Sequence, residues 1–220
     1  VYFRPSKHFL PMIEPFNDVY EGNLHAWFKK GVGETIIFFC HGNSGNISHK
    51  QHKLLSLNKL GYSILAFDYS GYGKSRGVPN EQLCYSNADT FMTYLLRNGY
   101  TNEQIIPYGE DIGASIALYI ATKYKLNKII LESSIPSIQK LLTAKSSLLQ
   151  VLGTIFNEFD AERFLKTYTG KILLIHSLHD RVVPYSCITE LRNKATKVIE
   201  TIGEHCSPEM DWNEIKTFIK

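Results

Sequence analysis

Six short strand-like runs, spaced by stretches of helix length, restrict the fold of this chain more than any other feature. They fall at residues 35–40, 63–67, 105–108, 128–131, 171–176 and 197–201. Most are continuously apolar, as in Thr35-Ile36-Ile37-Phe38-Phe39-Cys40 and Ser63-Ile64-Leu65-Ala66-Phe67. A strand with one wet face alternates polar and apolar residues. A strand covered on both faces need not, and that burial is typical of parallel sheets flanked by helices. The intervening stretches at about 47–60, 80–97 and 113–124 suit helices, the second ended by Asn98-Gly99. A closing helix is expected over 208–219, with Ser207 as N-cap and Pro208 in the first helical position. Strands alternating with helices in this way predict βαβ units, a mostly parallel sheet and an α/β fold.

Three segments depart from the alternation. Residues 1–16 are rich in Pro and aromatic side chains and read as an arm laid over a single domain spanning 1–220. Residues 19–30 suit an edge hairpin turning at Gly22-Asn23. Residues 135–170 are amphipathic and helix-like, and their place between two strands suits a small lid. Pro107 is a local conflict, because proline cannot donate a ladder hydrogen bond and its strand should be central.

A chain of 220 residues and 25.1 kDa can bury a sizeable core. A formal charge of +3, from basic residues that are scattered, gives no footing for nucleic acid. Cys40, Cys84, Cys187 and Cys206 fall at no metal-binding spacing and read as reduced thiols, which suits a cytoplasmic or cytosol-facing setting. No run of about 18 apolar residues is present. A leader or membrane anchor upstream of Val1 is left open.

The chemistry centres on Gly109-Glu110-Asp111-Ile112-Gly113, between an apolar strand and a helix that opens on small residues. The Gly-x-Asp-x-Gly spacing is that of a nucleophile elbow, where a strained turn lifts one side chain above the sheet and a Cβ on either flank would crowd the turn. Asp111 is the raised residue. Such a nucleophile needs a base, an acid to orient the base, and donors for a developing oxyanion. Asp180 follows the strand at 171–176 and is the candidate acid; His205 follows the strand at 197–201 and is the candidate base. Both stand where strand carboxyl ends meet loops, the usual place for ligands in an open α/β sheet. The oxyanion donors are expected to be the N–H groups of Ile112 and of Asn43, with Ser44 as the alternative to Asn43. His41 is expected to brace its loop. His179 neighbours the acid but lies in the wrong loop, and Ser115 lies one helical turn past the elbow.

His41-Gly42-Asn43-Ser44-Gly45-Asn46, Asp68-Tyr69-Ser70-Gly71-Tyr72-Gly73-Lys74-Ser75, the elbow, and the Asp180 and His205 loops together resemble the α/β-hydrolase superfamily. More narrowly, they resemble its small single-domain serine-hydrolase branch, which includes membrane-anchored protein depalmitoylases. The resemblance implies an eight-stranded sheet with helices on both faces, a short helical lid, and hydrolysis of esters or thioesters of a small-molecule or acyl substrate, with no cofactor and no metal. It carries over Asp180 as acid, His205 as base and the two backbone donors. It does not carry over the nucleophile, which is Ser in that branch and Asp111 here.

Aspartate changes the available reaction. Against an ester it would form a mixed anhydride more reactive than the substrate, whereas against saturated carbon it forms an alkyl ester that activated water can hydrolyse. Haloalkane dehalogenases and epoxide hydrolases look similar in this respect. This chain has Ile112 where the former have a halide-holding tryptophan, and it lacks lid tyrosines over 135–167, with Tyr168 near the lid's end. Three readings follow: a hydrolase using Asp111, Asp180 and His205, a catalytically impaired relative that binds a ligand or partner through the same site, or a serine hydrolase in which Asp111 is an engineered replacement for Ser. In the second, His205 is an imidazolium locked between two carboxylates.

Overall fold

The computed structural model describes residues 3–145 and 158–220. Eight strands form one sheet: β1 Asn17–Glu21, β2 Leu24–Lys29, β3 Ile36–Cys40, β4 Ser63–Phe67, β5 Ile105–Glu110, β6 Lys128–Glu132, β7 Lys171–Ser177 and β8 Lys197–Thr201. Their spatial order is β8-β7-β6-β5-β3-β4-β2-β1. The β1–β2 and β2–β4 pairs are antiparallel and every other pair is parallel. Every residue of β3, β4 and β5 is buried, which accounts for their unbroken apolar runs.

Neighbouring residues of these strands serve opposite faces. Phe38, Leu65 and Phe67 pack with Phe91 and Leu95 of α2 (Glu81–Arg97) and with Ile116 and Ile120 of α3 (Gly113–Lys123). Ile37, Phe39 and Ile64 pack on the other side with Leu54 and Leu57 of α1 (Gln51–Lys59), and with Ile215 and Ile219 of the helix Trp212–Ile219. Each fully buried side chain of this size contributes about 1.5–3 kcal/mol of transfer free energy. The adjacent Phe38 and Phe39 therefore fasten helices to both faces from one strand.

Pro107 sits in β5 without conflict. The β3 ladder runs past it, opposite Phe38, but the β6 ladder begins only at Tyr108, opposite Ile130. The strand is central, and its pairing on one side starts just after the residue that lacks an N–H. The closing helix is a correction. It spans Trp212–Ile219 and is capped by Asp211, whose side chain accepts from the N–H groups of Asn213 and Glu214. Ser207–Pro208 instead pairs antiparallel with Gly203–Glu204. The Ser-Pro pattern fits a helix start locally, but strand pairing claims that backbone first.

The N-terminal arm is strapped down by polar side chains. Arg4–Pro5 pairs with Ser44–Gly45, and Asn46 donates through Nδ2 to the carbonyls of Ser6 and His8 at 3.0 and 2.8 Å. Within 135–170, the structure has a helix at Ile138–Lys145 and another at Ala161–Leu165, while residues 146–157 lie outside those described. Among the described residues no helix is long and apolar enough to cross a membrane.

Candidate active site at the strand-to-helix elbow

The strand order reverses direction between β3 and β5, so the loops that follow these two strands leave from adjacent ends and open a crevice between them. Cys40 and Gly109 are register partners, which sets the His41–Gly42–Asn43 turn beside the elbow. Steric contact explains both elbow glycines. A Cβ on Gly109 would stand 2.5 Å from the Gly113 carbonyl oxygen, and one on Gly113 would stand 2.1 Å from that of Cys40. Between them Asp111 takes φ 57°, a left-handed conformation that aspartate tolerates better than most residues. Its N–H is held by the Glu132 carbonyl at 3.1 Å.

The structure brings Asp111, Asp180 and His205 together. His205 Nδ1 lies 2.8 Å from Asp180 Oδ2, and its Nε2 lies 3.5 Å from Asp111 Oδ1. Asp180 Oδ1 accepts from the N–H groups of Val182 and Val183, both at 2.8 Å, so this residue is turn former and candidate acid at once. Burial raises the Asp180 carboxyl, but the His205 hydrogen bond and the Val183 N–H outweigh it and the group ends below its usual range. Burial likewise pulls His205 down, and the neighbouring Asp111 and Asp180 carboxylates reverse this, pushing it from 6.5 up to about 9.

On the oxyanion side, the Asn43 N–H donates to Asp111 Oδ2 at 2.9 Å. A Cβ on Gly42 would come within 3.1 Å of the same oxygen, so glycine permits the approach. Ile112 is buried one residue past the elbow, at the start of α3, and Ser44 is exposed. The loop is held from behind. Tyr69 donates to the His41 carbonyl and Tyr72 to that of Asn43, each at 2.8 Å, while His41 Nδ1 donates to the Gly42 carbonyl at 2.7 Å. His41 is fully buried and braces its loop as expected. Ser115 is sealed away against Tyr85, oxygen to oxygen 2.8 Å, and His179 is exposed. The cleft over the elbow has a volume of about 440 Å³ and is bordered by Arg4, Lys50, Ile135, Leu141 and Val182.

Two features went unread in the sequence. The first is a buried ion network behind the elbow. Glu110, fully buried, contacts Lys50, and Lys53 Nζ bridges Glu110 Oε2 at 2.5 Å and Glu132 at 2.6 and 2.7 Å. Tyr108 donates to Glu132 as well. Burial would raise the Glu110 carboxyl, but Lys53 and Lys50 hold it well below the carboxylate range. Charged residues at the ends of two buried strands were the available signal. The second is Cys206, which joins Asp111 and His205 at the cleft.

A family model described as alpha/beta hydrolase fold matches residues 35–168, more than half of the 220-residue chain. Alpha/beta hydrolase domain-containing protein 17B of Xenopus laevis is 26% identical over 168 residues, covering 76% of this chain and 57% of its own length. The corresponding protein 17C of Xenopus tropicalis is 27% identical over 168 residues, at 76% and 53%. The chain thus spans just over half the length of these curated relatives. Among solved structures, an esterase of Pyrococcus furiosus superposes with a TM-score of 0.78 at 17% identity, covering 99% of this chain and 96% of that one. Est1E of Butyrivibrio proteoclasticus, with ferulic acid bound, gives 0.70 at 17% identity, covering 93% and 96%. At such identity these likenesses speak for the fold. The chain belongs to the alpha/beta hydrolase fold family.

Proposed function

We propose that this protein is a hydrolase in which Asp111 is the covalent nucleophile, His205 the base and Asp180 the residue that orients it. One observation carries the reading: the two Asp111 oxygens have different environments. Oδ2 takes the Asn43 N–H, while Oδ1 faces His205 Nε2. Attack by Oδ1 on an electrophilic saturated carbon breaks the bond to the leaving group and forms an ester of Asp111. The ester carbonyl is then Oδ2, already seated on the donor that an oxyanion needs. Esterification also removes the Asp111 charge, one of the two that hold His205 protonated, so the imidazolium passes its proton to the opened oxygen of an epoxide, or to solvent where a halide leaves. The neutral ring then takes a proton from water as the water attacks the carbonyl carbon and negative charge collects on Oδ2 beside Asn43; collapse, with that proton returned from His205 to the departing alkoxide, releases the alcohol and restores the carboxylate. Ile112 N–H is the second candidate donor. The substrate is a small molecule that fits the cleft, whose apolar border includes Ile135 and Leu141.

The test is mass spectrometry of the Asp111 peptide after incubation with a panel of terminal epoxides and primary alkyl halides, in metal-free buffer with chelator. His205→Gln should accumulate the alkyl adduct, and single turnover in heavy-oxygen water should label the wild-type carboxylate. Absence of both with every panel member would refute the assignment. One observation favours a second reading, a ligand- or partner-binding relative: His205 at about 9 is an imidazolium at neutral pH, held by two carboxylates. Esterase activity towards short-chain p-nitrophenyl esters in Asp111→Ser but not in the native protein, together with no adduct at Asp111, would support it.

A further inference from the structure

The elbow cleft holds a set of donor atoms that proton transfer alone does not use. Ligand atoms of Asp111, His205 and Cys206 all lie within 4.8 Å of one another. The Asp111–His205 separation of 3.5 Å is long for a charge-assisted hydrogen bond, which spans about 2.7–2.9 Å. It is close to the spacing of two ligands on one tetrahedral ion, about 3.4 Å when each is about 2.0–2.1 Å from the metal. We infer that Asp111, His205 and Cys206 form a binding site for a single zinc-class divalent cation.

The chemistry of the donors selects the ion. One imidazole nitrogen, one carboxylate oxygen and one cysteine sulfur, which burial keeps as a thiol until the ion displaces its proton, suit a borderline-soft d-block cation, not magnesium or calcium. The surroundings supply the outer contacts such a site needs. His205 Nδ1 is engaged by Asp180 at 2.8 Å, which fixes the ring and leaves Nε2 to coordinate once the ion displaces its proton. His205 and Cys206 form the two-residue turn between Gly203–Glu204 and Ser207–Pro208. Consecutive side chains along a strand diverge, whereas a turn lets both reach one point. Cys206 takes φ 58° there, and its N–H donates to Ser133 Oγ at 3.1 Å. All three ligands border the cleft, so the remaining coordination position opens to it, the pattern of catalytic rather than structural zinc. The site stands independently of the covalent reading. A bound ion would engage the same Asp111 oxygen, so the metal-bound and ester-forming states exclude each other.

The experiment is titration of the full chain with cobalt(II), followed by optical absorption, and with zinc, followed by calorimetry. Expected are one equivalent of either metal, a thiolate-to-cobalt charge-transfer band, and loss of that band in Cys206→Ala with at least about tenfold weaker zinc binding. Asp180→Asn should keep the band and weaken zinc about 10–100-fold. Cys187→Ala, outside the cluster, should change neither reading. Circular dichroism of the metal-free variants checks that they fold; should Cys206→Ala not fold, the wild-type band and its persistence in Cys187→Ala carry the decision. No saturable binding, a cobalt spectrum without a thiolate band, or binding indifferent to Cys206→Ala would overturn the site. Because Asp111 labelling is done in chelator, either result leaves the other assignment standing.

Discussion

Replacing Asp111 by asparagine should return His205 to the ordinary histidine range. Asparagine keeps the size of the side chain and tolerates the left-handed backbone at φ 57°, so the substitution removes charge and little else. At 3.5 Å the Asp111–His205 pair is worth about 4–5 kcal/mol at an effective dielectric of about 20. That exceeds the roughly 3 kcal/mol by which a pKa of about 9 departs from 6.5. Removal of Asp111 therefore leaves Asp180 opposed by burial, with little net shift. The consequence for stability has a definite sign. A pKa raised in the folded state stabilises fully below about 6.5, and that contribution is lost as pH climbs towards 9. The native protein should lose about 3 kcal/mol from this group over that window, and Asp111→Asn less than about 1. Nuclear magnetic resonance titration of the His205 ring, with urea unfolding at both ends of the window, measures both quantities. A native His205 titrating below 7, or equal pH slopes in the two proteins, would refute the coupling.

Other consequences concern the scaffold. Gly113→Ala forces a Cβ to within 2.1 Å of the Cys40 carbonyl oxygen and should destabilise by about 3 kcal/mol or more, read by urea unfolding. Glu110→Gln leaves Lys50 and Lys53 partly unpaired in a buried setting and should cost about 3–5 kcal/mol by the same measurement, although Glu110 touches neither His205 nor Asp180.

The elbow and the places of Asp180 and His205 beside it were legible because each depends on local rules. Gly109 and Gly113 report a steric limit of the chain itself, and Asp180 and His205 follow strand runs whose ends are marked by composition. Asn43 was singled out over Ser44 on the same basis, and its N–H does reach Asp111. The start of the last helix was misread because Ser207-Pro208 is also a good partner for Gly203–Glu204, and nothing local decides between capping a helix and closing a turn.

What the sequence alone determined was the sheet, its parallel order of construction, and the place where a raised side chain must stand. These follow from strand burial and backbone sterics, which act over a few residues. Only the tertiary structure decided which further groups, Cys206 and the buried ion network, meet around that side chain. Asp111, His205 and Cys206 converge from two distant segments, and Glu110, Glu132, Lys50 and Lys53 meet behind the elbow from a helix and two strand ends. Charge and coordination act through space, so their partners leave no fixed spacing in the chain.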